Sequence, residues 1–433
     1  MAGEWTPIRF GQMAQLVRDT VDPAEAVGLP YIGLEHIGEG SLSLVGLGVA
    51  ENATSLKYRF KRGDILFGKL RPYFRKVIRA TFEGICSTDI WVCQPRIGVD
   101  AGFLFYLMAS DLFIEPVVRA SEGTKMPRAQ WEFACDLELS LPTLLEQRAI
   151  AHILGTLDDK IELNRRMSET LEAMARALFK SWFVDFDPVR AKADGRWRRG
   201  QSLPGLPANL YDLFPSRLVA SELGEIPEGF EVAPFADTVD IIGGGTPKTS
   251  VPEYWGGTIP WFSVVDAPSS SEIWVVETEK KVTPKGVESS STKVLPIGTT
   301  IISARGTVGR VALVGVPMAM NQSCYGLRGK YGTTGFFNYF SIRALVSVLL
   351  QRAHGSVFDT ITRDTLSCVP VVVPTELLVN AFESLVRPLV EHILNNVLES
   401  HTLAALRDAL LPKLISGELR VKDAERFVQK AVD

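Results

Sequence analysis

The sequence predicts an α+β protein. We expect two mixed, β-rich domains in a pseudo-two-fold repeat, joined and spaced by two long helices that form an antiparallel coiled coil. Three observations lead to this prediction: the chain repeats itself after about 230 residues, the first part of each copy contains short β-like runs broken by Gly and Pro, and a long helical pattern closes each copy.

The repeat is visible in short phrases that return in the same order. Four pairs mark it: Pro30-Tyr31 with Pro260-Trp261, Gly63 in KRGDILFGKLR with Gly298 in LPIGTTIISAR, Gly123-Thr124 with Gly355-Ser356, and Leu141-Pro142 with Val373-Pro374. Two equivalent units in one polypeptide form a pseudo-dimer, which suits the reading of an object that itself has two halves.

The repeat divides the chain into five segments. We predict a first domain over residues 1–143, a first helical region over 144–186, a Pro/Gly-rich linker over 187–223, a second domain over 224–375, and a second helical region with a tail over 376–433.

The two helical regions carry the same seam. Mostly apolar positions follow alternating steps of four and three, and one position in each seam is Asn, which fixes register and partner in a coiled coil. We predict helix pairing through Leu157, Ile161, Asn164, Leu171 and Leu178 in the first region and Leu389, Ile393, Asn396, Leu403 and Leu410 in the second. The alternative is that each helix lies on its own domain as a simple amphipathic helix.

Composition narrows the possible classes of protein. With 433 residues, several domains are expected, and 46% hydrophobic with 22% charged residues indicates a globular chain. The N-terminus has no secretory pattern, and the uncharged run 311–327 is too short to span a membrane, so we expect a cytoplasmic protein that does not contact a membrane. The five Cys and five His have no metal-ligand spacing, so we expect free thiols and no metal site.

The net charge of −4 conceals two basic stretches. Nine basic residues and one acid lie between Lys57 and Arg79, and no Asp or Glu occurs from Ser289 through Phe358. A single basic run is often a solvated face. Because both copies are basic at matching places, we predict a surface that faces phosphates.

No catalytic motif is recognisable. Asp187-Pro188 is followed by Val189 rather than by the proline and aromatic residue of an amino-methyltransferase motif. Gly243–Thr246 is followed by Pro247 and by no GKS/T, so a turn that presents Thr246 and Lys248 is favoured over a phosphate-binding loop. The sequence therefore predicts a binding protein without enzymatic activity.

Several stretches resemble the specificity subunit of type I restriction-modification systems. IIGGGTPKTSVPEYWGGTIPWFSVVD (241–266) is similar to the opening of that family's target recognition domains, and residues 145–192 are similar to its central helical region. SELGEIPEGF (221–230) resembles the entry to the second recognition domain, and LLPKLISGELRV (410–421) the C-terminal signature. The first domain departs from the pattern, because residues 11–30 contain no GGTP-like opening.

The resemblance implies that each domain reads one half of a bipartite, asymmetric sequence in double-stranded DNA, and that the helices fix the spacer. Two methylation subunits would bind the helical regions and carry S-adenosylmethionine and the adenine-N6 chemistry. Two restriction subunits would add translocation and cleavage with ATP and Mg, and this chain would hold no cofactor. The alternative is a similar recognition module from another phage-defence or modification system.

We expect DNA contacts from loops where the two copies agree in polarity, because Arg and Lys suit guanine or phosphate and Asn and Gln suit adenine. In the first domain these residues are Lys69, Arg71, Tyr73, Arg75, Lys76, Ser87, Thr88, Asp89, Lys125 and Arg128. In the second they are Thr246, Lys248, Arg305, Arg310, Asn321, Gln322, Ser323, Ser356 and Arg363. The DNA sequence, the spacer length and the division between base readers and phosphate contacts do not follow from the sequence.

Overall fold

Each β-rich domain is closed by pairing its first strand with its last. The computed structural model describes residues 5–123, 125–268, 272–330, 335–353, 360–367 and 369–424. In the first domain Thr6–Arg9 pairs antiparallel with Glu138–Leu141, and in the second Glu231–Pro234 pairs antiparallel with Pro370–Val373. The chain divides into unit 1, residues 1–162 and 400–433, and unit 2, residues 163–399, so each unit contains one domain and a segment of both helical regions.

Unit 1 contains two larger sheets. The first is antiparallel, in the order Ala14–Val17, Ile90–Pro95, Ile65–Gly68, Val77–Arg79. The second is mixed, in the order Thr20–Val21, Lys57–Phe60, Gly84–Cys86, Pro30–Ile32, Gly48–Val49, and its Pro30–Ile32 and Gly84–Cys86 strands are parallel. The α-helices of this domain are Phe10–Met13, Ala101–Ala109, Asp111–Arg119 and Trp131–Asp136.

Unit 2 repeats this arrangement. Its five-stranded sheet has the order Val239–Gly243, Cys324–Gly329, Thr300–Ser303, Val311–Val314, Trp274–Val275. Its three-stranded sheet has the order Lys281–Val282, Trp255–Phe262, Ala319–Met320, and the last two strands are parallel. The α-helices are Asp187–Ala193, Phe235–Thr238, Pro284–Glu288, Phe336–Ala353 and Arg363–Ser367.

The repeated phrases of the sequence occupy equivalent strands. Tyr31 pairs in parallel with Ile85, and its counterpart Trp261 pairs in parallel with Ala319. Parallel pairing needs a long connection between the two strands, so this shared detail shows that the copies have the same topology. The prediction of two mixed, β-rich domains is confirmed.

Two long helices follow the domains, as predicted. The first, Leu144–Phe183, has 40 residues, and the second, Glu376–Ser416, has 41. Both seams become buried because apolar residues at this spacing form a stripe along one side of a helix.

The helices pair within each unit, and the direction of the pairing is antiparallel. In unit 2, Asn164 Nδ2 donates to Glu399 Oε2 (2.6 Å), and one turn further along the first helix Ser168 Oγ accepts from Asn396 Nδ2 (3.2 Å). The contact partner thus moves backwards along the second helix. In unit 1, Arg407 Nη1 donates to Asp158 Oδ1 at 2.7 Å.

Each helix segment also packs on a domain, so the two alternatives considered for the helices both occur. In unit 1, Leu157 and Leu403 share a core with Phe103 and Phe113 of the first domain. In unit 2, Phe382 and Ile393 share a core with Phe340 of the second domain.

The segment predicted as a linker is packed. After Asp187–Ala193 come a 3-10 helix, Ala208–Leu213, and a hairpin of Leu218–Ser221 with Gly224–Pro227. Trp197 and Phe214 are buried in the core of unit 2, and Lys192 Nζ donates to the Phe214 carbonyl oxygen at 2.5 Å. Burial of two aromatic side chains offsets the flexibility suggested by the Pro and Gly content.

In the part of the chain that the structure describes, no single helix is long and apolar enough to cross a membrane. The helices Ala101–Ala109 and Asp111–Arg119 pass such a test only as a pair bent by 51°, by length and composition alone. In Ala101–Ala109 the residues from Gly102 onwards are all buried in the domain core, which accounts for its uniformly apolar composition.

Candidate nucleic-acid interface

Three loops of unit 1 that carry predicted DNA contacts meet at one place. We call them loop A (Lys69–Lys76), loop B (Ser87–Asp89) and loop C (Lys125–Arg128). Lys69 N donates to the Asp89 carbonyl oxygen (2.9 Å), Arg71 N to that of Pro127 (2.7 Å), and Ala129 N to that of Lys69 (2.8 Å). Backbone hydrogen bonds therefore connect loop A to both other loops.

Unit 2 brings the equivalent loops together with equivalent bonds. Its loop A spans residues 304–310, its loop B Asn321–Ser323, and the described part of its loop C residues 360–363. Ala304 N donates to the Ser323 carbonyl oxygen (2.7 Å), and Ile361 N donates to that of Ala304 (2.9 Å). The convergence is thus a property of the repeated fold rather than of one domain. Ser356 lies outside the described residues.

Loop A contains two left-handed residues in each unit, four positions apart in unit 1 and three apart in unit 2, and their residue types differ. In unit 1, Arg71 (φ 52°) and Arg75 (φ 53°) are left-handed and flank the 3-10 turn Pro72–Phe74. The matching positions of unit 2 are Gly306 (φ 77°) and Gly309 (φ 84°). Each arginine costs roughly 1–2 kcal/mol in this conformation, which glycine adopts freely. Such strain is typical of functional loops.

Some cations of unit 1 are neutralised within the protein. Arg75 forms an ion pair with Asp111, Arg128 Nε lies 3.2 Å from Asp89 Oδ1, and Lys76 Nζ lies 3.7 Å from Glu39 Oε1. These side chains brace the loops. Asp89 was predicted to contact DNA; its carboxylate here accepts from Arg128, and the backbone N–H of Asp89 donates to Ser87 Oγ at 3.2 Å.

Other polar side chains of these loops make no ion pair with a described residue. Lys125 and Thr88 are exposed, Lys69 is half-buried, and the Tyr73 ring is 47% exposed beside Phe74. Arg71 differs from them because its Nε is buried without a hydrogen-bond partner in the structure. The loops therefore contain cationic side chains that are paired within the protein and others that are available to a ligand.

In unit 2 the GGGTP turn packs on loop B. Gly245 N donates to the Met320 carbonyl oxygen at 3.0 Å, and Thr246 Oγ1 hydrogen-bonds to Gln322 Oε1. Gly244 is required at its position, because a Cβ there would lie 1.9 Å from the Asn321 carbonyl oxygen. The sequence predicted a turn that presents Thr246 and Lys248, and Lys248 is exposed.

The remaining predicted contacts of unit 2 surround the same loops. Arg305 and Arg310 are exposed on loop A. Arg363 Nη2 donates to the Ile241 carbonyl oxygen at 3.3 Å, and Asn321 Oδ1 accepts from Ser323 N at 2.9 Å. The roles of these residues in binding DNA stay predictions.

The predicted helix-pairing residues lie in the two units as follows. Leu157, Leu403 and Leu410 are buried and Ile161 half-buried in unit 1, while Asn164, Ile393 and Asn396 are buried and Leu171, Leu178 and Leu389 half-buried in unit 2.

The sequence analysis missed a buried polar cluster on the helices of unit 1. Arg407, whose side chain is 4% exposed, contacts Asp158, and Tyr106 OH donates to the other oxygen of Asp158 at 2.6 Å. Burial raises the pKa of Asp158, against the opposing effect of Arg407. Burial lowers the pKa of Arg407, but Asp158 and Asp408 together outweigh burial, so the net shift of this pKa is upwards. Arg407 appeared in the sequence only as a polar residue at a seam position.

The described residues include no group of three or more His, Cys, Asp or Glu side chains arranged to hold a metal ion. Within the same part of the chain, Cys86, Cys93, Cys135 and Cys324 are free thiols. Burial raises the pKa of Cys324 to about 12, so this thiol is protonated and unreactive at neutral pH. Cys368 lies outside the described residues.

Comparison with known proteins shows which family has this repeated architecture. The type I restriction modification DNA specificity domain matches residues 4–173 and 227–376, once in each copy of the repeat. The chain is 29% identical to the specificity subunit of the type I restriction enzyme HindI from Haemophilus influenzae, over 84% of this chain and 88% of the relative. It is 26% identical to the MjaIX specificity subunit from Methanocaldococcus jannaschii, over 93% of this chain and 87% of the relative.

A solved structure has the same fold. The type I restriction-modification S subunit from M. genitalium superimposes with a TM-score of 0.56 at 15% identity, covering 95% of this chain and 96% of that one. The family model covers most of the chain and occurs twice, as the repeat requires. The chain therefore belongs to the type I restriction-modification DNA specificity subunits, the family that recognises DNA sequence in these systems.

Proposed function

We propose that this chain selects the DNA site for a type I restriction-modification complex and that each domain reads one half of a bipartite, asymmetric sequence. The observation that carries this proposal is the convergence of loops A, B and C, joined in both units by equivalent backbone hydrogen bonds. Rigid loops that present different side chains at equivalent places suit the reading of two different half-sites, since base-edge contacts specify sequence while phosphate contacts set position.

The domain division belongs to the same proposal. Residues 1–143 and 224–375 are the two recognition domains, residues 144–186 and 376–433 provide the spacing helices, and 187–223 connects the two copies. The antiparallel pairing of the long helices within each unit supports their use as a spacer of defined length. The unread bases between the half-sites correspond to this spacer.

The chemistry belongs to partners in this proposal. Two methylation subunits bind the helical regions and supply S-adenosylmethionine and adenine-N6 transfer, and two restriction subunits supply ATP-driven translocation and cleavage with Mg. The chain itself is non-catalytic and acts in the cytoplasm. Calorimetry on the purified chain checks this division: we expect no binding of S-adenosylmethionine, and stoichiometric binding would contradict it.

Domain replacement tests the recognition proposal. Residues 224–375 are replaced by the matching segment of a relative, and the methylated sequence is determined in a host that also expresses the methylation subunit. We expect one half of the methylated sequence to change, with the other half and the spacer length unchanged. Replacement of residues 1–143 is the reciprocal control and should change the other half. A change in both halves, or in the spacer, from either replacement would rule out modular reading.

A further inference from the structure

We propose that Arg71 reads a guanine in the half-site recognised by unit 1. This inference rests on the proposed function and identifies one residue on which sequence discrimination depends. Three independent features of Arg71 support it: its backbone conformation, the absence of partners for its side chain, and the residue that occupies its place in unit 2.

The backbone of Arg71 is held firmly in a conformation that disfavours arginine. Its N–H donates to the Pro127 carbonyl oxygen at 2.7 Å, and its own carbonyl oxygen accepts from Phe74 N at 3.0 Å. Its φ of 52° is left-handed. These bonds define where the side chain starts, which is the requirement for a reader that must meet one base edge.

The fold does not require an arginine at this position. Gly306 takes the same place in unit 2, with a left-handed φ of 77° and open space where a Cβ would lie. The loop therefore closes in unit 2 without a side chain here. In unit 1 an arginine occupies the position despite its conformational cost, which indicates a use for the guanidinium itself.

That guanidinium is not used within the described structure. Arg71 makes no side-chain hydrogen bond or ion pair there, and its Nε is buried without a partner. Arg75 and Arg128 in the neighbouring loops are instead paired with Asp111 and Asp89. Because the packed position of the Arg71 side chain is held by no hydrogen bond, the side chain can move towards DNA without breaking one.

The chemistry of the guanidinium favours guanine. Its parallel N–H donors match the O6 and N7 acceptors that guanine presents in the major groove, the most common specific contact between protein and DNA. Thr88 and Lys125 are exposed on the adjoining loops B and C, and side chains of these types commonly contact the phosphates of the DNA backbone. Since Gly306 has no side chain, unit 2 cannot make this contact from the same position of loop A.

The test uses the complex of the full chain with its methylation subunits. Binding is measured on DNA with the sequence that the complex methylates. It is also measured on DNA substituted at each base pair of the half-site read by unit 1. Arg71→Gly should weaken binding to the cognate site by roughly 5- to 150-fold and abolish discrimination at one guanine position only. Arg71→Lys should lose part of this discrimination while keeping affinity for unrelated DNA, because lysine keeps the charge without the planar pair of donors.

Arg119→Ala is the matched control. It removes an exposed guanidinium from unit 1 outside the three loops, and it should leave discrimination at every position intact. Folding is followed by thermal denaturation, and Arg71→Gly should be at least as stable as the parent, because glycine is favoured at this φ.

Two results would overturn the role of Arg71. Equal weakening on all sequences, with a salt slope reduced by about one, would make it a phosphate contact. Unchanged affinity and discrimination in Arg71→Gly would place it outside the interface. Neither result affects the proposed function, which fails instead if the unaltered complex methylates no bipartite sequence.

Discussion

The two units have different side chains at equivalent positions between their long helices. In unit 1 the buried Arg407 pairs with the half-buried Asp158, which also accepts from Tyr106, whereas the positions that correspond to Asp158 and Arg407 in the repeat of unit 2 are Val390 and Ala175, both fully buried among apolar side chains. The same antiparallel pairing therefore accepts either a charged or an apolar pair. The apolar pair of unit 2 shows that this helix pairing does not require the polar cluster.

Unit 2 has a polar cluster of its own, one turn away from the apolar pair. Arg343 Nη1 donates to Glu172 Oε1 at 2.7 Å and to Tyr339 OH at 3.2 Å. Tyr106 and Tyr339 lie on equivalent domain helices, yet the arginine comes from the long helix in unit 1 and from the domain helix in unit 2. We infer that these clusters set the position of each domain on its own helix segment, since a domain moved to the other segment would meet the wrong partners.

The largest effect is expected from moving the charged pair of unit 1 into unit 2. Ala175→Arg combined with Val390→Asp inserts a long side chain and a carboxylate into a core formed by Phe179, Trp182 and Phe382. We expect a loss of at least about 4 kcal/mol in the free energy of local opening of unit 2, from overpacking and from desolvation of the inserted charges. Hydrogen exchange followed by mass spectrometry of the second long helix measures it.

The control for that exchange is Met174→Arg, which adds the same side chain at a position that is 50% exposed on the same helix. It should change the opening free energy by less than about 0.5 kcal/mol. If the buried double substitution were equally mild, the apolar pair would not be essential to unit 2, and the contrast between the units would lose its meaning.

A smaller loss is expected when the cluster of unit 1 is broken. Arg407→Ala leaves the half-buried Asp158 carboxylate without its cation, at a cost of up to about 3 kcal/mol. Adding Asp158→Val and Tyr106→Phe reproduces the apolar pair of unit 2 and should recover most of this loss, since an apolar replacement of a buried ion pair is often neutral. Hydrogen exchange of the helix Ala101–Ala109 reports the opening of unit 1. Without such recovery, the cluster would stabilise unit 1 directly rather than position its domain.

The loss in Arg407→Ala should depend on pH. Burial already raises the pKa of Asp158 above its ordinary value of 3.8, and Arg407 opposes that shift. Without Arg407 the pKa of Asp158 rises further, so the folded variant holds the proton more tightly than the unfolded chain does. The deficit should therefore be largest at neutral pH and shrink as the pH falls through this raised pKa, by about 1.4 kcal/mol per unit of additional shift.

Unfolding of the parent chain, Arg407→Ala and the triple variant is measured across this pH range. The triple variant lacks Asp158. Its difference in unfolding free energy from the parent should therefore change with pH only as far as Asp158 titrates in the parent. A deficit in Arg407→Ala that is independent of pH would mean that the Asp158 carboxylate reaches water once Arg407 is removed.

The smallest effect concerns loop A. Gly306→Ala should destabilise unit 2 by about 1 kcal/mol, because alanine is strained at a φ of 77° although its Cβ would meet open space. Thr307→Ala, at the next residue, is the control and should stay within about 0.5 kcal/mol. Thermal denaturation of the full chain measures the stability of both variants. If Gly306→Ala were harmless, the left-handed arginines of unit 1 would not be strained either.

Much of the fold could be predicted from the sequence because the repeat preserves local signals. The Pro-aromatic pairs at Tyr31 and Trp261 lie in equivalent strands, and each pairs in parallel with a second strand. Loops A, B and C could be grouped because the two copies agreed in polarity, and the structure brings them together. The packed connection around Trp197 was not predicted, since its Pro and Gly residues suggest a linker unless the core that receives the aromatic side chains is known.

The sequence by itself determined the repeat, the two β-rich domains and the helical seams, because periodicity and turn residues act over a few positions. Only the tertiary structure decided which charges are available to a ligand. Arg75 and Asp111 are 36 residues apart, and Arg407 and Asp158 are 249 apart. Neutralisation depends on distance through space rather than along the chain, so Arg407 interrupts a seam in the sequence but completes an ion pair in the fold, while the Arg71 side chain has no partner among the described residues.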